Sequence, residues 1–432
     1  MPSSFVAKEN QILGVASAEA ILERTGIRLH SVFQSVLSVS HARVVGHEAL
    51  LRGVDRDGTA LTPSQIFPRL VSKFCANSVN EFCARLHLGT FQAHDREGWL
   101  FLNVNPDAVP SRRDVYERFG SWLRDADIPA HRIVVEVVET RSIDEKGLAE
   151  AVEGFRDLGC LVAIDDFGAG ESNFERVWRL RPDVVKLDRA MLEEATQNPL
   201  VRRILPGIVS LVHEAGCLVV LEGIETEEQA LLAMECDVDF VQGYHFSRPT
   251  LDPPPREEAK SLFLELEGQL RQHLDDRNEQ DRGFFESYMG GFEACAHALE
   301  EGDSLRDACA TFLALAGVQR VYLLDQDGQQ MAGNVEARDT GLASDPRFDP
   351  CADAEGASWF RRPYFQRAIQ RPRATQVSRP YLSIRDAKTC VTLSIAYDSP
   401  DGLCVLCADL SYALPEPAGP WSVRESGVHS SR

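Results

Sequence analysis

Seven short apolar runs in the first 250 residues each end on a side chain that can bind a cation, hold a proton or donate a hydrogen bond. Glu48 follows Val44-Val-Gly-His47, Asn103 follows Phe101-Leu102, and Glu136 follows Ile133-Val-Val135. Asp165 and Asp166 follow Val162-Ala-Ile164, Lys186 follows Val184-Val185, Glu222 follows Val219-Val-Leu221, and Gln242 follows Phe240-Val241. For any single site, a solvated loop residue or a helix N-cap is the commoner role. Seven in order weigh differently. If the runs are parallel strands of one barrel, their carboxyl ends converge on one face and gather five carboxylates with amide and amine partners. Unpaired, that many carboxylates repel and their pKa values rise. Divalent cations remove the conflict, and all-oxygen donors suit Mg²⁺ or Mn²⁺ rather than zinc. The adjacent Asp165 and Asp166 can address two ions, one each or by bridging. The glycines of Phe167-Gly168-Ala-Gly170 then let the loop move or let its backbone approach a ligand; the plainer reading is an Asp-Gly loop.

The elements that must hold these residues alternate. Strands are predicted over Arg43–Leu51, Trp99–Val104, Arg132–Val138, Leu161–Asp165, Val184–Leu187, Cys217–Leu221 and Phe240–Gln242, with helices such as Glu145–Leu158, Glu171–Arg179 and Pro199–Ala215 between them. Gly159 and Gly216 stand where a helix should stop before the next strand. Strand-helix repetition over about 220 residues argues for a parallel sheet, and its length favours a (β/α)8-type barrel over an open sheet. Pro253-Pro-Pro255 ends the region. Leu262, Leu266 and Leu270 recur at helical spacing and predict a connecting helix, either a coiled coil or a helix packed on its own domain. From about Leu305 the texture changes to short strands, Val318–Leu324, Gln329–Met331, Tyr381–Ile384, Cys390–Ala396 and Leu403–Asp409, which predict a helix followed by an antiparallel sheet. The division expected is a barrel over 1–255, a helical linker over 256–304, a smaller α+β domain over 305–415 and a flexible tail over 416–432.

Composition narrows the partners. The 432 residues carry a formal net charge of −21, so the chain repels polyphosphate overall and is not expected to grip polymeric nucleic acid. A small phosphate ester held through cations fits better. The 11 cysteines are scattered and odd in number, which is no disulfide framework and reads as buried thiols in a reducing cytosol. Cys404 and Cys407, the nearest pair, would point to opposite faces of a strand. No signal peptide or apolar run of membrane length is seen, so a cytoplasmic chain without membrane insertion is expected.

His47-Glu-Ala-Leu-Leu-Arg52 resembles the signature of the EAL family of cyclic di-GMP phosphodiesterases, named for Glu48-Ala49-Leu50. The later motifs follow in order: Asn103-Val-Asn-Pro106, Glu136-Val-Val-Glu139, Asp165-Asp-Phe-Gly-Ala-Gly170, Lys186-Leu-Asp188, Glu222-Gly-Ile-Glu225, and Gln242-Gly-Tyr244 leading to Phe246-Ser-Arg-Pro249. The resemblance covers roughly residues 25 to 250. It implies a modified (β/α)8 TIM-like barrel and two Mg²⁺ or Mn²⁺ ions. Glu48, Asn103, Glu136, Asp165 and Asp166 would be metal ligands, with Glu222 beside the second ion, bound directly or through water. Lys186 would contact the attacking water, with Asp166 and Glu222 its catalytic companions. Arg52 would contact a substrate phosphate, and Gln242, Leu51 and Gln34 would line the substrate pocket. Glu139, Glu225, Gly168 and Gly170 would support the active-site loops. Two such ions would polarise one phosphodiester and acidify a water; the product would be linear pGpG, with Glu222 a candidate base. Three positions depart from the family pattern: Ser35 replaces a Pro, Glu171 an aromatic residue and Asn173 a Ser. No Gly-Gly-Asp-Glu-Phe cyclase signature precedes the barrel.

Val318–Met331, Trp359-Phe-Arg-Arg-Pro-Tyr-Phe365, Ser378-Arg-Pro-Tyr-Leu382 and Cys404–Asp409 resemble a PAS or Cache-type sensor module. That implies an antiparallel sheet around a small-ligand pocket, with Arg361, Arg362 and Tyr364 candidates to bind an anionic ligand. The alternative is a module that only dimerises. The expectation is a phosphodiesterase regulated by this module, most simply as a homodimer. The competing reading is a cyclic di-GMP receptor or a regulatory scaffold without turnover.

Overall fold

The computed structural model describes residues 18–94, 98–104, 112–138, 145–169, 174–252, 259–337, 354–383, 388–400 and 402–412. The expected tail over 416–432 and the Pro253-Pro-Pro255 break lie outside these residues. The chain forms two compact units, Met1–Gln272 and His273–Arg432.

The first unit opens with α1 (Ala18–Thr25), β1 (Arg28–Ser38), β2 (Arg43–Val54), the short β3 (Ala60–Leu61), α2 (Pro63–Val71) and α3 (Ala76–His94). Strand–helix units follow: β4 (Trp99–Asn103) and α4 (Arg112–Asp125), β5 (Ile133–Val138) and α5 (Glu145–Asp157), β6 (Leu161–Phe167) and α6 (Phe174–Leu180). β7 (Val184–Leu187) precedes α7 (Arg189–Gln197) and α8 (Pro199–Glu214); β8 (Leu218–Leu221), α9 (Glu227–Glu235) and β9 (Phe240–Val241) complete the set. Sheet order β1-β9-β8-β7-β6-β5-β4-β2, with β1 also paired to β2, closes an eight-stranded barrel. Gly159 and Gly216 stop α5 and α8 at positive φ, +91° and +82°, where a Cβ would be strained.

The barrel departs from an all-parallel sheet at one strand. β1 runs antiparallel to both β2 and β9, while the pairs from β2–β4 to β8–β9 are parallel. A four-residue connection, 39–42, turns β1 into β2 and leaves no room for the crossover that parallel pairing needs.

Alternation along the strands builds the interior in layers. Val36, Phe101, Val134, Ala163, Val184, Val220 and Phe240, from seven different strands, form one buried apolar cluster. Two residues further along six of these strands, on the same face, come Asn103, Glu136, Asp165, Lys186, Glu222 and Gln242. On the antiparallel β1 the same step runs backwards, from Val36 to Gln34, and Gln34 pairs with Glu48 of β2. β2 contributes Gly46 below Glu48; a Cβ there would meet the Phe101 ring at 3.1 Å and the Trp99 carbonyl at 2.8 Å. The apolar layer plugs the barrel, and a polar layer lies directly above it.

α10 (Lys260–Glu300) begins in the first unit, where Phe263 and Leu266 are buried and Phe263 stacks on Phe246. From His273 on it belongs to the second unit, with α11 (Leu305–Ala308), β10 (Val318–Leu324), β11 (Val335–Glu336), α12 (Pro363–Gln370), β12 (Gln376–Val377), β13 (Tyr381–Leu382), β14 (Thr389–Ser399) and β15 (Gly402–Ser411). The pairing is antiparallel in the order β11-β10-β15-β14-β12, with β13 also on β14. Phe292, Cys295, Ala296 and Leu299 of α10 pack in one core with Cys404, and Tyr364, Phe365 and Ala368 of α12 pack in another with Cys407. The two cysteines thus serve opposite faces of β15. Gln329–Met331 is not a strand: that stretch makes only isolated bridges, because the Asp325-Gln-Asp-Gly328 turn is spent reversing the chain.

Two glycines make opposite predictions. A Cβ at Gly243 would sit 2.0 Å from the Ile224 carbonyl oxygen, whereas one at Gly207, inside α8, meets nothing within 4 Å. Gly243→Ala should destabilise the chain by about 2–3 kcal/mol or more. Gly207→Ala should stabilise it by about 0.5–1 kcal/mol. Denaturant midpoints check both, and equal midpoints for the two variants would contradict the packing described.

Candidate active site

Lys186 stands at the centre of the polar layer and is 1% exposed. Its Nζ lies 2.5 Å from Glu136 Oε1, 2.5 Å from Glu222 Oε1, 3.1 Å from Asp165 Oδ1 and 3.5 Å from Glu48 Oε2. An ammonium has three hydrogens to share among these four carboxylates. Glu136 Oε1, Asp165 Oδ1 and Glu222 Oε1 are buried without a well-aligned hydrogen bond, so Lys186 serves them as a charge. The amides complete the layer. Asn103 Nδ2 donates to Glu48 Oε1 at 3.1 Å and to Glu136 Oε2 at 2.9 Å. Gln242 Nε2 donates to Glu48 Oε2 at 2.7 Å, and its own Oε1 is buried without a partner.

Asp166 joins through a backbone irregularity. The β6–β7 register shifts between Ile164 and Phe167, and Asp166 takes a left-handed φ of +56°. Such a bulge re-aims a side chain that alternation would send to the other face. Oxygens of Asp165, Asp166 and Glu222 consequently come within 4.8 Å of one another. Asp188, two residues after Lys186, caps α7 by accepting from the Ala190 amide at 2.8 Å.

The electrostatics follow from burial and crowding. Burial, then Glu48, pushes the Glu136 carboxyl well above its ordinary value, against the pull of Lys186. Burial raises Glu222 to about 8, with Asp165 and Glu48 adding to it and Lys186 opposing. Burial, then Asp165 and Asp188, lifts Asp166 to about 6. Burial alone would lower Lys186, but Glu136, Glu222, Glu48 and Asp165 outweigh it and hold the ammonium well above its ordinary value. Fully ionised, the five carboxylates and one ammonium carry four negative charges, the charge two divalent cations neutralise. The excess of buried carboxylates over the single ammonium and the all-oxygen donor set fit such ions.

With this geometry in view, comparison with known proteins is direct. The EAL domain profile matches residues 18–249, more than half of the sequence. The chain belongs to the EAL domain family. YkuI of Bacillus subtilis, an EAL-domain protein, is 26% identical over 351 residues, covering 79% of this chain and 84% of YkuI. The crystal structure of YkuI with its substrate cyclic di-GMP and calcium superposes with a TM-score of 0.77 at 22% identity, covering 92% of this chain and all of that one. The cyclic di-GMP phosphodiesterase RocR of Pseudomonas aeruginosa is 31% identical over 151 residues, 35% of this chain and 38% of RocR. An uncharacterised protein of Azorhizobium caulinodans is 28% identical over 247 residues, 55% of this chain and 33% of its own length. The chain therefore spans well under half of the latter two relatives.

Other residues singled out in the sequence are placed variously within the EAL domain. Gln34 lies beside Glu48 across the β1–β2 ladder and donates to the Ser247 carbonyl at 3.4 Å. Arg52 is half-buried, and its Nη1 donates to the Leu51 carbonyl at 2.9 Å. Leu51 is not brought to the carboxylates: odd-numbered residues of β2 face outward, and its side chain is buried with Ile21, Ile27 and Ile66. Glu225 is exposed and accepts from Arg189 Nη1 at 2.7 Å. Gly168 has φ +104°, and a Cβ there would meet Met191 Cε at 2.4 Å. Glu139, Gly170, Glu171 and Asn173 lie outside the described residues. At Ser35 the backbone N–H donates to Ser247 Oγ at 3.3 Å, a bond a Pro could not make. Ser247 and Asp188 were not among the expected site residues. Only Asp188 had a signal, as the last residue of Lys186-Leu-Asp188.

No helix among the described residues is long and apolar enough to cross a membrane.

The raised carboxyls set a pH dependence. Glu222 and Asp166 hold protons in the folded chain that the unfolded chain has released, between their ordinary values of 4.5 and 3.8 and their folded values of about 8 and about 6. Their stabilisation is complete below about pH 4 and is lost as pH rises to about 8. Metal-free protein in EDTA should therefore melt at a lower temperature at pH 8 than at pH 6, and Glu222→Gln should shrink that fall. Mg²⁺ should recover more stability at pH 8 than at pH 6, and a fall of the same size in the variant would contradict the assignment.

Proposed function

We propose that this chain hydrolyses cyclic di-GMP to linear pGpG with two bound Mg²⁺ or Mn²⁺ ions. The single observation that carries the reading is the set of five carboxylates around one buried lysine, whose charge excess equals that of two divalent ions. Glu48, Asn103, Glu136, Asp165 and Asp166 would hold the ions, with Glu222 at the second. Both amide hydrogens of Asn103 go to carboxylates, so its Oδ1 is the atom left for a cation. When bound, the ions polarise the phosphodiester and make the attacking water more acidic.

The residues supply the rest. Lys186 Nζ donates to the attacking water and opposes, without cancelling, the rise that burial imposes on Glu136 and Glu222. Glu222, at the second ion and beside Lys186, accepts the proton. Arg52 exchanges its bond to the Leu51 carbonyl for one to a phosphate oxygen. Gln34 and Gln242 line the pocket, with Leu51 contributing backbone rather than side chain. The water oxygen bonds to phosphorus as the bond to the departing 3′ oxygen breaks, and that oxygen takes a proton from solvent, while Glu222 keeps the one lost by the water, to leave as a 3′ hydroxyl. Glu139, Glu225, Gly168 and Gly170 support the surrounding loops.

The full chain is read as a cytoplasmic homodimer regulated by its C-terminal unit, a PAS or Cache-like module. Leu200, Ile204 and Leu211 leave an exposed apolar stripe on α8, which supports self-association, and the ten described cysteines are all free, which fits a reducing compartment. In the second unit Arg362 lies 5.8 Å from both the Trp359 and Tyr381 ring centroids, and Tyr364 is buried beside Tyr322. Arg362 is thus the candidate for an anionic ligand, while Arg361 is exposed.

Chromatography of purified chain incubated with cyclic di-GMP and Mn²⁺ or Mg²⁺ tests the proposal. We expect pGpG that disappears with EDTA and falls at least about a hundred-fold in Glu48→Ala. Nucleotide binding that persists in EDTA, with no product under any metal, would replace the enzyme with a receptor.

A further inference from the structure

We propose that Arg189 is a positioning residue for the Asp165, Asp166 and Glu222 triad, acting through Glu225 and the turn at Gly223. The inference rests on the metal-dependent reading above and extends it to a residue outside the carboxylate cluster.

α7 starts three residues after Lys186 and is fixed to both neighbouring strand ends. The Asp188 amide donates to the Phe167 carbonyl at 3.0 Å, next to Asp166. The Glu222 amide donates to the Leu187 carbonyl at 3.1 Å. Two close approaches then bring the first turn of α7 against both acidic loops. Gly168 faces Met191, and Gly223, with φ +68°, faces Arg189 so closely that a Cβ would lie 2.2 Å from the arginine Cβ. Only a glycine fits there, and the turn it allows sets the direction in which the chain leaves Glu222.

The guanidinium holds that turn from the other side. Arg189 Nη1 donates to Glu225 Oε1 at 2.7 Å, and Nε donates to Glu193 Oε1 at 2.6 Å. Glu193 lies one helical turn along α7, so it fixes the rotamer of Arg189 while Glu225 is gripped. Both partners are half-exposed, at 53% for Arg189 and 43% for Glu225, so the pair adds little to stability. Its consequence is geometric: Glu225 is three residues from Glu222, whose oxygen must stay within 4.8 Å of Asp165 and Asp166 to share a cation. A supporting contact of this kind typically changes metal affinity about ten-fold or more.

The test is Mn²⁺ binding by the full chain without nucleotide, counting free Mn²⁺ by electron paramagnetic resonance. Arg189→Met and Glu225→Gln should each weaken the weaker class of Mn²⁺ sites by about ten-fold. The double variant should be no worse than either, as partners in one contact require, and Arg189→Lys should recover part of the loss. Melting in EDTA should stay within about 2 °C of the parent chain, since the pair is exposed. Unchanged Mn²⁺ binding, additive losses, or a drop in EDTA melting with binding intact would each overturn the inference, as would a parent chain that binds no Mn²⁺. A parent chain that binds Mn²⁺ with this dependence yet leaves cyclic di-GMP intact would refute the phosphodiesterase alone.

Discussion

One buried ammonium faces four carboxylates within 3.5 Å, and the first unit is arranged to make that encounter unavoidable. A buried charge is tolerated only where partners repay its lost hydration. Lys186 is repaid several times over; the carboxylates are not. Glu136 has no exposure at all, and burial drives its carboxyl up even with Lys186 beside it. The layer therefore stores an electrostatic conflict that proton uptake relieves partly. On the proposed reading divalent cations would relieve the rest, and so let a chain of net charge −21 receive an anionic phosphodiester.

The barrel creates the conflict through alternation and closure. Each interior strand face reads apolar, then polar two residues on, so one set of strands supplies both a dry plug and a charged floor. Exceptions to that rule sit where chemistry gains from them. The bulge at Asp166 adds a fifth carboxylate, and Gly46 makes room for Phe101 beneath Glu48. The antiparallel β1 delivers Gln34 to Glu48 by reversing the step. Function thus depends on a backbone that is regular in seven strands and irregular in a few named places.

Much of this was legible in the sequence, for a physical reason. Carboxylates and a lysine at the ends of apolar runs violate the ordinary preference for apolar strand interiors, and so they stand out. β1 is not among the predicted strands: Arg28–Ser38 mixes Arg, His, Ser and Gln with its apolar residues, and only the short 39–42 connection forces its antiparallel direction. Nearness in sequence to Glu48 and Arg52 does not bring the Leu51 side chain to the carboxylates, because parity along β2 buries it elsewhere. Gln329–Met331 has strand composition but follows a turn that consumes its pairing. Arg189 left no sequence signal, because an exposed arginine at a helix start is ordinary until Gly223 is seen against it.

If the carboxylate layer is a site for divalent cations, their binding must resolve its charge conflict. The most direct measurement is calorimetric titration of Mn²⁺ into metal-free protein at pH 7, repeated in two buffers of different ionisation enthalpy. Carboxyls raised as Glu222 and Glu136 are must give up protons when a cation arrives. Release of roughly one proton or more per chain is expected, its Glu222 share falling away as pH rises through about 8. Binding whose heat is the same in both buffers, or no binding at millimolar Mn²⁺, would contradict it.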